Sequence, residues 1–131
     1  MWTVRDTACA LALLTLTGAC GSSSEPPASS GVTKTKLMQD LDDSEVTTFC
    51  AWSREKLGGE GNVTECPDGT KLLVTSASQC ETDLKTARTA TLSCALTVGD
   101  FEACVTEQSG GGGCTPGPAC TKVDRCLTPP K

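Results

Sequence analysis

Apolar positions fall in three regimes along this chain. The first is a continuous run from Ala8 to Ala19, broken only by Thr15, Thr17 and Gly18. The second is its opposite: residues 21–35 hold mostly Gly, Ser, Pro, Thr and Ala, with few apolar anchors. The third, from about residue 36, sets single apolar side chains three or four apart among polar ones. That spacing places them on one face of a helix.

Three helices are predicted from this last regime. Asp42 with Glu45 three residues on forms a capping box, and Leu41 and Val46 flank it as a hydrophobic staple. Val46, Phe49, Cys50 and Leu57 then share a face, and Gly58-Gly59 supplies the stop, giving a helix at about 42–57. Ser76 and Gln79 make a second capping box, opening a helix to about Arg88 with Cys80, Leu84 and Ala87 on one face. Residues 89–96 read as an extended connector. Thr97 to Asp100 opens the third helix, with Phe101, Cys104 and Val105 inward and the glycines at 110–113 ending it in a loose loop. One or two further helical turns are expected at 118–126. Between the first two helices, Pro67-Asp68-Gly69 is a strong turn signal. It links Val63–Cys66 to Thr70–Thr75 as a short hairpin.

Composition explains what must hold such elements together. After the first apolar run, Phe49, Trp52 and Phe101 are the only aromatic residues, so the core is thin, and small thin cores need covalent support. Cysteines can supply it: Cys50, Cys66, Cys80, Cys94, Cys104, Cys114, Cys120 and Cys126 are an even set in a chain that reads as exported. Eight cysteines allow 105 pairings, among which sequence does not choose. Cys50, Cys80, Cys104 and Cys120 fall on helix faces and the other four on connectors. The expected fold is a small α-rich (α+β) disulfide-stapled domain, with three to four short helices and one minor β-hairpin.

The apolar run is about 12 residues, the length of a signal-peptide core and short of the ~20 needed to cross a bilayer. Arg5 is its only preceding cation. It ends in Leu16-Thr17-Gly18-Ala19-Cys20. This resembles the lipobox of bacterial lipoproteins, with small residues directly before a cysteine, although Thr17 stands where Leu is preferred. The resemblance implies that the Cys20 thiol carries a diacylglycerol, that cleavage follows Ala19, and that Gly21 directs the protein to the outer membrane of a Gram-negative cell. The implied organisation is a lipoprotein signal peptide at 1–19, a flexible tether at 20–35 and a disulfide-rich helical domain at 36–131. The alternative is an ordinary signal peptide releasing a secreted effector or inhibitor, whose target-binding loops would be 58–62 and 109–119. Cys9 lacks a preceding apolar run and is not a lipid site. Assigning Cys20 to a lipid leaves eight cysteines to pair.

Removing residues 1–19 leaves ten basic and fifteen acidic side chains, a net charge of −5. That balance argues against nucleic acid as a partner; membrane lipid, reached through the anchor, is the partner expected. The chain has no His and no Tyr, which removes the usual Ser-His and Cys-His nucleophile pairs and the commonest metal ligand. No cysteine pair has the two-to-four-residue gap of a zinc site, and no CxxC suggests redox chemistry. Asp40, Asp42, Asp43 and Glu45 depart from a calcium loop, because Glu45 stands where glycine is required; they read as a capped helix start. Asp100 and Glu102 lie two apart, on different faces, and read as capping and solvated groups. Trp52, off the Val46/Phe49/Cys50 line, reads as packing at the core edge rather than as a ligand-stacking ring. No catalytic residue, metal or cofactor is expected beyond the covalent lipid.

Phe49-Cys50-Ala51-Trp52, Lys56-Leu57-Gly58-Gly59, Cys66-Pro67-Asp68-Gly69 and Thr97-Val98-Gly99-Asp100-Phe101-Glu102-Ala103-Cys104 together resemble small cysteine-rich lipoproteins of myxobacteria. The resemblance spans about residues 37–126. That group has no assigned activity, so no functional residue carries over.

Overall fold

A computed structural model describes residues 25–89, 94–111 and 113–128. Among these are four α-helices, α1 (Asp43–Lys56), α2 (Ala77–Thr89), α3 (Val98–Gly111) and α4 (Pro118–Leu127), and one antiparallel hairpin, β1 (Val63–Glu65) with β2 (Lys71–Leu73). The fold is the small α-rich, disulfide-stapled domain expected. Residues 90–93 of the 89–96 connector and the 1–24 segment lie outside the described residues.

Local chemistry sets the helix limits. Asp42 and Glu45 form the full reciprocal box at the start of α1, with Glu45 N donating to Asp42 Oδ1 at 2.8 Å and Asp42 N to Glu45 Oε2 at 2.9 Å. At the other end Gly59 N donates to Arg54 O at 2.8 Å and Gly58 N to Glu55 O at 3.1 Å. That is the Schellman arrangement, and it requires the left-handed backbone that Gly58 adopts at φ +97°. At α2 only half of the box forms: Ser76 Oγ accepts from Gln79 N, while the Gln79 side chain donates to Asp83. At α3 the box is complete with Asp100 in place of the usual Glu or Gln, bonded to both the amide and the hydroxyl of Thr97.

Helix α1 packs on α2, and α3 on α4, with α1 and α3 joining the two pairs. The core lies between them. Val46, Cys50, Leu96 and Val98 are its fully buried members. Phe49 links the aromatic set, its ring 5.7 Å from that of Trp52 and 6.3 Å edge-on from that of Phe101.

Three expectations are corrected here. Helix α3 continues through Gly110 and Gly111 instead of ending before them, because Gln108 and Ser109 carry the helix to its end and glycine weakens a last turn without forbidding it. Cys126 lies on α4, buried, rather than on a connector. The third concerns the tether. From Pro27 onward the segment is held on the domain: Trp52 Nε1 donates to Pro27 O at 2.7 Å, Ser30 and Val32 are buried, and Gly99 N donates to Lys34 O at 2.9 Å. The strand-like contact continues through Val98 N to Lys36 O and Met38 N to Leu96 O, each at 2.9 Å. A stretch with a single valine carries no periodic signal. Here backbone hydrogen bonds do the work that apolar anchors would otherwise do.

Candidate functional site

The eight cysteines of the domain pair completely: Cys50 with Cys80, Cys66 with Cys114, Cys94 with Cys126, and Cys104 with Cys120, with Cα separations of 4.4–5.9 Å. The first joins α1 to α2 and the last joins α3 to α4. Cys66–Cys114 ties the hairpin to the segment between α3 and α4. Cys94–Cys126 ties the connector before α3 to α4. Cys20, the expected lipidation site, lies outside the described residues, as does Cys9. Among the described residues no helix is long and apolar enough to cross a membrane.

The acidic residues singled out by sequence have structural partners. Asp42 and Glu45 cap α1, and the Lys36 ammonium bonds Glu45. That bond, with the Asp42 amide, holds the Glu45 carboxyl below its ordinary pKa. Asp43 sits 2.9 Å from Arg88 and 3.6 Å from Lys85, ion pairs that tie the start of α1 to α2 and lower its pKa, with the Arg88 bond the largest cause. Asp100 is lowered by Lys122 at 2.7 Å and by Thr97. Among the described residues no group of three or more candidate ligands is placed to hold a metal.

Glu102 corrects the sequence reading, which took it as solvated. It is 4% exposed, in the interior between α3 and the N-terminal segment. Ser30 N donates to its Oε1 at 2.7 Å, and Lys34 Nζ stands 3.5 Å from Oε2, which accepts no hydrogen bond. Burial pushes its carboxyl up, but the Ser30 hydrogen bonds and the Lys34 charge outweigh that, leaving it below its ordinary value. A sequence signal existed: Val98, Glu102 and Val105 sit at the i, i+4, i+7 positions of one buried stripe. Glu107 was also missed. Its two carboxylate oxygens accept from the amides of Ala119 and Cys120, each at 3.0 Å, capping α4 from a different helix. Trp52 is 4% exposed and packs in the core, closer to the packing reading than to a ligand-stacking one.

The most developed concavity lies between the C-terminal half of α1, the hairpin, α2 and α3. It is a groove of about 650 Å³, within the range of small-molecule sites, roughly 300–1,000 Å³. Its apolar lining comes from Phe49, Leu57, Leu72, Leu84 and Val105. Arg54, Lys56 and Lys71 are its cations, and Asp83 its one anion. Arg54 Nη2 bonds Glu60 at 2.7 Å, and Lys71 pairs with Glu65 at 2.7 Å. Lys56 forms no ion pair among the described residues, and Arg54 Nε has no hydrogen-bond partner. The two loops expected as binding surfaces both border this groove, through Gly58 and Asn62 on one side and Ser109 and Gly113 on the other. Such a lining can bind and orient a ligand. No family model, curated protein or solved structure matches the chain.

Proposed function

We propose that this is a lipid-anchored protein of the bacterial cell envelope, acting by binding or structural association rather than by catalysis. The observation that carries the reading is the cysteine at the end of an apolar run, Gly18-Ala19-Cys20. The closed pairing of the other eight supports it, since none of them is left to bond Cys20. Pro27, held by Trp52, lies seven positions after Cys20, and a flexible link of that length would span ~15 Å r.m.s.. The domain then rides close to the headgroups, with the outer membrane as its site. Two or three acyl chains on one residue make the anchor durable, where a single chain binds only marginally.

Intact mass of the mature protein, with and without reduction, tests the reading. The expected result is an N-terminus at Cys20 bearing a diacylglycerol, together with four disulfides. Radiolabelled palmitate should enter the protein and fail to enter Cys20→Ser. Protein in the medium with a free N-terminus would overturn the anchor in favour of a released effector.

A further inference from the structure

We infer that the groove between α1, the hairpin, α2 and α3 is a binding site for a single-chain amphiphile: an aliphatic body with one compact anionic head. The apolar body is specified by Phe49, Leu57, Leu72, Leu84 and Val105, which come from four segments, α1 with its C-cap, β2, α2 and α3, and leave an unfilled volume of about 650 Å³. Two disulfides link the elements that wall it. Cys50–Cys80, whose Cys80 lines the groove, fixes α2 against α1. Cys66–Cys114 fixes the hairpin beside Gly113 at the end of α3.

The head is specified by charge. The lining carries three cations and one carboxylate, on a chain whose overall charge is −5. Two of the cations are answered from outside the groove, Arg54 by Glu60 and Lys71 by Glu65. Lys56 has no such answer among the described residues, and Arg54 keeps an unpartnered Nε–H. Both belong to the last turn of α1 and both line the groove. An anion there completes a charge-assisted bond while its chain lies along the leucines. An uncharged chain of the same length gains the second contact without the first. The inference is independent of the lipid anchor, since palmitate labelling at Cys20 and ligand binding in the groove fail separately.

The test is an NMR titration of the 15N-labelled full chain, held in zwitterionic nanodiscs, with octanoate and with octanol. Octanoate should shift the amides of Leu72, Leu84 and Val105, and octanol should bind about tenfold more weakly, as the loss of one charge-assisted bond implies. Lys56→Gln should weaken octanoate about tenfold and leave octanol unchanged, and Lys56→Arg should restore the difference. Lys71→Gln, whose cation is already paired, should change octanoate binding little. The same spectra report that each variant is folded. Equal binding of octanoate and octanol, shifts confined to other surfaces, or a response only to anionic vesicles would overturn the inference.

Discussion

Glu102 is the residue on which the N-terminal segment depends. Its carboxylate is the acceptor for the Ser30 amide, 72 positions away in the chain, in a place water does not reach. Removing it leaves a buried N–H unsatisfied, which costs about 1–3 kcal/mol. Glu102→Ala should therefore lower the unfolding free energy measured in urea by that amount and raise amide exchange at Ser30 and Val32 ahead of the rest of the domain. Glu102→Gln keeps an acceptor oxygen and should recover most of the loss. Uniform exchange across the domain in the alanine variant would show that the segment is not a separable unit. Gly117 depends on contact of another kind. A Cβ there would stand 2.6 Å from the Glu107 carboxylate, the group that caps α4. Gly117→Ala should displace the cap and cost about as much as Glu107→Ala, on the order of 1 kcal/mol, and the double variant should add little. Additive losses in thermal melts would separate the two residues.

At the scale of elements, the capped helices were legible in the sequence because their signals are local. Asp42/Glu45, Thr97/Asp100 and Pro67-Asp68-Gly69 act within a few residues of themselves. What the sequence hid is non-local. The caps supplied by Glu107, the clasp of residues 27–34 and the groove all join positions with no fixed spacing between them, and the disulfide partners were one choice among many. The hairpin illustrates the difference. Its turn is plain in the sequence, yet strands of three residues, with Val63 and Leu73 exposed on one face, are marginal on their own. Cys66–Cys114 is what holds them to the helices. Replacing both cysteines by serine should cost protection at the Gly61 and Val74 amides, which bond across the base of the hairpin at 2.9 Å. Amides within α1 should change much less. The groove beside the hairpin should lose its ligand preference in the same variant. Equal loss of protection in α1 would show that the disulfide supports the whole fold instead.

For the whole molecule, the carboxylates set how stability follows pH. Asp43, Glu45, Asp68, Asp100 and Glu102 all have folded-state pKa values below their ordinary ones. A depressed carboxyl stabilises the native state fully above its unfolded pKa, about 4 for Asp and Glu. That contribution is lost as pH falls through the folded value. The chain has no His, so no side chain of ordinary pKa titrates between pH 5 and 8. The urea midpoint, with disulfides intact, should stay level from pH 8 to 5 and fall below about pH 4. The exposed pairs and the buried one should then part company in salt. Asp43 and Glu45 meet their cations at the surface, where salt screens the attraction. Glu102 meets the Ser30 amide in the interior, with the exposed Lys34 ammonium only at its edge. Raising the salt at pH 7 should therefore remove part of the difference between pH 7 and pH 3 in the wild type. What remains should shrink further in Glu102→Gln, whose amide does not titrate. A midpoint that moved between pH 8 and 5, or a salt-resistant remainder unchanged in Glu102→Gln, would place the acid-sensitive group elsewhere.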